Sequence, residues 1–246
     1  MNHTLRIASF NIHKGVSSFN ARLVLHEQRE LIRKLHADIV FLQEVRGTHT
    51  RHRELTLGAQ YEFLADSIWP DFAYGQNALG PSGHHGNAIL SKFPIMNWDN
   101  EDISASTSEQ RGLLHCEIAI PGWDHHLHCI CVHLGLFARW RRQQLAALNE
   151  RINNLVPENA PLIIAGDFND WRQKAGGILA QQQHLREVFE VAHGGHARSF
   201  PSLLPIFKLD RIYARGFHVQ HCEVHGGTAF ANVSDHVALS ANLVRL

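Results

Sequence analysis

The feature that most constrains this chain is a set of short segments that are apolar on both faces and bounded by Gly, Pro or polar residues. They are LRIASFNI, ADIVFLQEV, GNAILSKFPI, GLLHCEIAI, LHCICVHLG, PLIIAGDFN, LDRIYA and HVALSANL. A strand with one face in water alternates apolar and polar residues, whereas a strand covered on both faces need not, so these runs predict sheets lying between other layers. Two longer segments have helical spacing. Val24, Leu25, Leu31, Ile32 and Leu35 form one apolar stripe with Asn20 as N-cap, and Leu145, Leu148, Ile152 and Leu155 form another that Pro157 closes. Strands interleaved with helices mark an α/β chain. No repeat, low-complexity tract or Pro/Ser linker divides residues 1–246, which read as a single domain large enough to bury a sizeable core. Residues 46–86 are the least regular stretch; their Tyr61, Phe63, Trp69, Phe72 and Tyr74 read as local core, with substrate-facing loops between them.

Charge excludes some functions. Lys plus Arg equals Asp plus Glu at 23 each, so there is no global positive field to recruit nucleic acid or anionic membrane from a distance, and any such contact must be local. The cysteines, Cys116, Cys129, Cys131 and Cys222, have no CxxC spacing and read as core residues of a reduced protein rather than a zinc knuckle or disulfide framework. The start MNHTLRIASFNIHKG has neither a basic leader nor a long apolar stretch, and no run approaches the roughly 20 apolar residues that span a bilayer. These features predict a cytoplasmic protein with no transmembrane segment and no obligate protein partner.

The apolar runs carry polar residues that core strands do not need. Asn11 ends the first, Gln43 and Glu44 end the second, His133 ends CICVHLG, Asp167 and Asn169 follow PLIIAG, Asp210 lies in KLDRIY, and Asp235 and His236 precede the last run. Desolvating a carboxylate at a core edge costs several kcal/mol unless it is paired or bound to a cation. Taken singly, each has a structural reading: Glu44 as a strand-end ion pair, Asn11 as a turn former, GDFND as an Asx-turn. Taken together they predict convergence on one site held by a cation. Glu44, Asp235 and the Asn11 amide are hard oxygen ligands without a thiolate nearby, which favours a magnesium-type ion.

In that order, FN, QE, HLG, GDFND, LDRIY and SDH resemble the endonuclease/exonuclease/phosphatase superfamily of deoxyribonuclease-I-like enzymes, from Asn11 to His236. FNIHKG, GNAILSKFPI, EQRGLL and SFPSLLPIFKLDRIY resemble a bacterial subgroup of undefined substrate. The resemblance implies a four-layer α/β/β/α sandwich, two packed mixed sheets flanked by helices, with the site at one edge. It implies Glu44 as principal metal ligand with Asn11 and Asp235 close by. It implies Asp167 as the group that orients and deprotonates water, with Asn169 beside it. His236 contacts phosphate and Asp210 orients its ring; His133 is a second phosphate contact or general acid. Arg111, Asn87 and Lys14 are further candidate phosphate contacts.

These types suit a Mg2+-dependent phosphoester hydrolase, with Mn2+ as a substitute, because phosphoester hydrolysis needs an in-line water, a cation and donors for the spreading charge. Asp235 and His236 can serve cation and phosphate at once only if SDH is an irregular turn, since neighbours in a regular strand face opposite ways. The substrate is nucleic acid, a lipid-headgroup phosphodiester or a small phosphoester. A non-catalytic phosphate-binding scaffold and a zinc hydrolase are the alternatives, the first opposed by the intact polar set. Arg139, Arg141 and Arg142 around Trp140 read as a solvated helix turn or an anion grip. His84 and His85 read as a plain loop.

Overall fold

Two βαβ units set the architecture. In the first, β1 (Thr4–Asn11) and β2 (Ile39–Arg46) lie parallel and are joined by α1 (Leu25–Lys34). In the second, β7 (Leu127–His133) and β8 (Leu162–Asp167) lie parallel and are joined by α3 (Ala138–Leu155). Parallel neighbours require such crossovers, and the helix then covers one face of its sheet. The remaining strands extend each pair antiparallel. They are β3 (Asp71–Gly80), β4 (Gly83–Ser91), β5 (Ile95–Asp102), β6 (Gly112–Ile118), β9 (Arg186–Glu187), β10 (Asp210–Arg215), β11 (Phe217–His225) and β12 (Ala238–Arg245). The two six-stranded sheets have the orders β11-β12-β1-β2-β4-β3 and β5-β6-β7-β8-β10-β9. The short helices are α2 (Gln60–Ser67), α4 (Val188–His193) and α5 (Thr228–Ala231). This computed structural model describes residues 4–18, 22–47, 59–80, 83–173, 177, 179 and 183–246.

Three apolar clusters account for the doubly apolar strands. Ile7, Ile39, Phe41, Cys129, Ile163 and Leu239 are among those packed between the sheets. Phe10, Ile32, Val40, Leu42 and Leu64 join the outer face of the first sheet to α1 and α2, and Ile130, Val132, Leu145, Leu148 and Ile152 join the second to α3. Successive residues of one strand thus enter different clusters, so both faces must be apolar. The result is the expected four-layer sandwich. All four cysteines are free and buried.

Several expectations need correction. α1 begins at Leu25 with Val24 at its N-cap, because a bridge between Val16 and Leu23 and the Val24 N–H bond to Gly15 keep the chain non-helical up to that point; Asn20 lies outside the described residues. The second stripe ends at Ile152, since Leu155 is 52% exposed. The irregular stretch 46–86 contains α2, β3 and the start of β4, with residues 48–58 outside the described set. Tyr61, Phe63, Trp69 and Tyr74 pack against the core as expected, with Tyr61 stacked on Tyr74 at 4.3 Å and the Trp69 indole donating to the Ala37 carbonyl at 2.8 Å, whereas Phe72, on an edge strand, is 37% exposed. His84 and His85 lie on β4 rather than in a loop, and His84 Nδ1 is 2.9 Å from the Tyr74 hydroxyl.

Candidate active site

The carboxyl ends of both parallel pairs meet. Asn11 pairs with Gln43 across β1 and β2, His133 pairs with Asp167 across β7 and β8, and Asp210 pairs with Asp167 across β8 and β10. Polar residues placed at those strand ends are therefore gathered at one edge of the sandwich, the usual place for a site in sheets wound this way.

Asn11 ties the two sheets together. Its Nδ2 lies 3.4 Å from Glu44 Oε1 and 3.4 Å from Asp167 Oδ2, and its Oδ1 accepts the His13 N–H at 3.0 Å. Glu44 reaches that position through a bulge: the register with β4 shifts between Leu42 and Val45, and Glu44 has φ 55°. The shift sends Gln43 inward to Ser9 Oγ at 3.4 Å and Cys131 Sγ at 3.3 Å, while Glu44 turns to the site. His13, Lys14 and Asn169 also have positive φ, so four of the seven such non-glycine residues among those described lie here. Left-handed backbone costs about 1 kcal/mol or more per residue, and such strain gathers where side-chain direction matters more than local stability.

Around the second sheet, Asp167 accepts the Asn169 N–H at 2.9 Å on Oδ1, and its Oδ2 lies 3.5 Å from His133 Nε2 and 3.8 Å from His236 Nε2. His236 Nδ1 is 2.8 Å from Asp210 Oδ2, so the carboxylate fixes the ring. Residues 234–237 are a bend before β12, the irregular turn that the Asp235–His236 argument required. Ser234 builds it: its hydroxyl donates to the Asn11 carbonyl at 2.6 Å and accepts the His236 N–H at 3.1 Å. The Ser202 hydroxyl donates to the Ser234 carbonyl at 2.6 Å. Sequence reasoning missed Ser234, Ser202 and Gln28, whose buried amide donates at 2.7 Å to both the Ile12 and Val233 carbonyls. Serine inside an apolar segment is the signal for Ser234 and Ser202, whereas Gln28, within the polar run HEQRE of α1, gives none.

The electrostatics differ sharply between neighbours. Burial works to raise the Glu44 carboxyl, but His133 and Lys14 draw it down to about 2. Burial, reinforced by Arg111, keeps His133 well below the ordinary imidazole value, so near neutral pH the charges that hold Glu44 ionised are Lys14, 3.4 Å away, and His236. Burial raises Asp167 to about 7, with Asp210 and Glu44 adding to the rise and His236 opposing it. Burial by itself would depress His236, yet the charge and hydrogen bond of Asp210, then Asp167 and Asp235, push it up to about 10. A carboxylate near 7 beside an imidazolium is a base beside a charged donor.

Among the carboxylate oxygens of the site, Glu44 Oε2, Asp210 Oδ1 and Asp235 Oδ1 are buried without a hydrogen-bond partner; Glu44 Oε2 lies 3.4 Å from Lys14 Nζ and Asp235 Oδ1 3.8 Å from His13 Nδ1. Among the described residues, Asp167, Asp210 and His236 also form a group whose ligand atoms lie within 4.8 Å of one another. Its His236 Nδ1 is engaged by Asp210, and an imidazolium repels a cation, so the Glu44 and Asp235 oxygens fit one better.

The other sequence candidates are placed as follows. The Asn169 amide donates to the Leu134 carbonyl at 3.0 Å. Arg111 pairs with Glu109 at 2.8 Å and donates to the Leu134 carbonyl at 3.3 Å, so it fastens the loop after β7. Asn87 is fully buried between the sheets and donates to the Gly112 and Cys131 carbonyls at 3.1 and 3.3 Å. Arg141 is buried and donates to the Gly135 and Leu136 carbonyls at 3.0 and 2.6 Å, whereas Arg142 is exposed.

Comparison with known proteins agrees with this geometry. The chain is 45% identical over 244 residues to the uncharacterized protein YbhP of Escherichia coli (strain K12), covering 98% of this chain and 96% of that one. An endonuclease/exonuclease/phosphatase from Beutenbergia cavernae has a TM-score of 0.78 at 20% identity, covering 98% of this chain and 72% of that one. A mannosyl-6-phosphatase from Bacteroides thetaiotaomicron has a TM-score of 0.73 at 17% identity, covering 98% and 99%. The family model described as the Endonuclease/Exonuclease/phosphatase family matches residues 8–236, and with both sheets, the strand-end polar set and this relative in agreement, the chain belongs to that family.

Proposed function

We propose that this protein is a divalent-cation-dependent phosphoester hydrolase of phosphodiesterase or nuclease type. One observation carries the reading: Asn11, bonded to both Glu44 and Asp167, brings the Glu44 carboxylate of one sheet beside the Asp167 base of the other, next to an imidazolium fixed by Asp210. Phosphoryl transfer needs little covalent help from protein but much positioning and charge stabilisation, and this arrangement supplies both.

Glu44, Asp235 and the Asn11 amide are the residues that would hold the cation, and their hard oxygens fit Mg2+ or Mn2+ better than zinc. A bound cation supplies positive charge to the phosphoryl and leaving oxygens. Asp167 accepts the proton of the attacking water, and its raised value suits a base working near neutral pH. Asn169 holds that carboxylate in place through its N–H. His236, charged and fixed by Asp210, donates to a phosphate oxygen. His133 is kept neutral by burial and contacts the same phosphate or its leaving oxygen. Lys14 adds positive charge beside Glu44. In this reading Arg111 acts by fixing the Leu134 loop and Asn87 by joining the sheets, which replaces their direct phosphate contact. The free cysteines fit a reducing, cytoplasmic setting.

The test is hydrolysis of bis-p-nitrophenyl phosphate by the purified protein with Mg2+, with Mn2+ or with chelator. Chelator is expected to abolish turnover, and Asp167→Asn to lose at least ~100-fold in kcat. Full activity in Asp167→Asn overturns the role of that base, and full activity in chelator overturns the cation.

A further inference from the structure

The mouth of the site is edged by apolar side chains left exposed among the described residues. Leu203 and Leu204 are 77% and 71% exposed, Ile206 53%, Trp171 42% and Phe207 40%. They form one platform: Trp171 lies edge-on to Phe207 at 4.8 Å and to Phe200 at 6.1 Å, and Phe200 packs against His236 at 5.0 Å. Leu136 and Phe137, 54% and 57% exposed, lie beyond β7, the parallel neighbour of the strand that leads to Trp171. Three loops from one end of one sheet thus present leucines, isoleucine and aromatics to solvent beside the imidazole of the site. Patches of this kind on a protein mark an interaction surface.

The exposed and half-buried charges carried by the platform's own segments are of one sign, set against the carboxylates of the site, of which Asp235 accepts the Ser202 N–H on its carbonyl. The three segments, residues 134–142 (the loop after β7 with the first turn of α3), 168–173 and 198–209, contain Arg139, Arg142, Arg172, Arg198 and Lys208 at exposed or half-buried positions. Their one carboxylate, Asp170, is buried, and the nearby Glu109 is paired with Arg111. In a chain of zero formal charge, this rim is locally cationic. The Arg139 guanidinium lies 5.4 Å from the Trp140 ring, itself edge-on to Phe137 at 4.6 Å, so cation and apolar surface alternate closely.

We propose that this rim docks the protein on an anionic lipid surface, from which the site takes a headgroup phosphoester; the substrate part rests on the phosphoester reading above. Apolar tips ringed by Arg and Lys are the pattern that enters the headgroup boundary while its cations meet lipid phosphates. The tip is built for shallow insertion, because backbone bonds within residues 199–207 already satisfy the amides of Ser199, Phe200, Leu204, Ile206 and Phe207. The most exposed side chains, Leu203 and Leu204 at 77% and 71%, are aliphatic and add apolar area without a stacking face for bases, beyond what the less exposed Trp171 and Phe207 offer. A protein partner or second copy covering Phe200 would also cover His236, whereas a lipid surface brings the phosphoester with it.

The test is co-sedimentation of the purified protein with vesicles of phosphatidylcholine alone and of phosphatidylcholine mixed with phosphatidylglycerol, with no turnover required. Binding is expected to the anionic vesicles only, and to weaken at high salt. Leu203→Ser/Leu204→Ser, both highly exposed, is expected to keep its thermal midpoint and lose at least about tenfold in partitioning. A blue shift of indole emission on anionic vesicles, missing in Trp171→Phe, is the second readout. Failure to bind anionic vesicles, binding unchanged in the double variant, or self-association that this variant abolishes would each overturn the proposal. Soluble bis-p-nitrophenyl phosphate separates the readings: turnover without vesicle binding refutes docking alone, and vesicle binding without turnover refutes the hydrolase.

Discussion

Replacing Asp210 by asparagine isolates the part the imidazolium plays. The 2.8 Å bond to His236 Nδ1 and the charge behind it are the strongest influences raising that ring, from 6.5 to about 10. The amide oxygen of Asp210→Asn can still accept a hydrogen bond, so the ring stays in place, but the charge is gone, and burial then opposes only the smaller influences of Asp167 and Asp235, so the imidazole falls back toward its ordinary value. At about pH 8 the parent ring is essentially all protonated, whereas a ring titrating at 6.5 is protonated in only about 3% of molecules. If the charged ring donates to phosphate, kcat of Asp210→Asn falls at least ~30-fold there, equivalent to about 2 kcal/mol of transition-state stabilisation. At about pH 5.5 most of the variant's rings are protonated again, so the deficit should shrink to a few-fold. The assay is kcat of variant and parent on bis-p-nitrophenyl phosphate across that range, with the acid limb of Asp167, which Asp210 and His236 both influence, fitted separately in each protein before the two are compared. A deficit of the same size at every pH would show that Asp210 matters for shape alone and would refute the charged-donor role.

Two further outcomes concern the scaffold. Arg151 donates to His115 Nδ1 at 3.3 Å, and because arginine can only donate, the neutral His115 carries its proton on Nε2 and gives it to His128 Nδ1 at 2.9 Å. Burial lowers His115 to about 3 and also lowers His128, so the unfolded chain binds protons that the folded one refuses. The contribution of this pair should be full above about pH 6.5 and be lost as pH drops below it, by up to about 1.4 kcal/mol per unit for each ring; urea titration of the parent and of His115→Gln between about pH 6.5 and 4 should show a slope shallower by about one proton in the variant. At Gly166 a Cβ would fall 1.9 Å from the Val132 carbonyl, with φ at 145°, so Gly166→Ala should cost about 3 kcal/mol or more in urea unfolding; an unchanged midpoint would refute the close approach of β7 and β8 that aligns His133 with Asp167.

What the sequence showed and what it hid follow the same physical line. Every strand legible as a doubly apolar run lies inside a sheet, sandwiched between layers, as β1, β2, β7 and β8 are. The strands it did not reveal, β3, β5, β9 and β11, are the four sheet edges. Met96 and Trp98 on β5 are exposed, and β11 alternates buried Phe217 and Cys222 with exposed His218 and Glu223, so these edges carry no double-sided apolar pattern.

The site divides likewise. Asn11, Glu44, Asp167, Asp210 and His236 could be named from the sequence because a polar group closing an apolar run carries a desolvation cost that demands a reason. Their partners could not. The bulge that turns Glu44, the Ser234 bend that shapes the Asp235–His236 turn, and the conversion of Arg111 and Asn87 into struts depend on carbonyls from distant segments. The apolar platform of Trp171 and Leu203 is likewise a product of packing: leucines and aromatics in a loop read as core until the fold leaves them uncovered. Local chemistry determined which residues needed a reason; tertiary structure, by deciding what lies across from each one, supplied it.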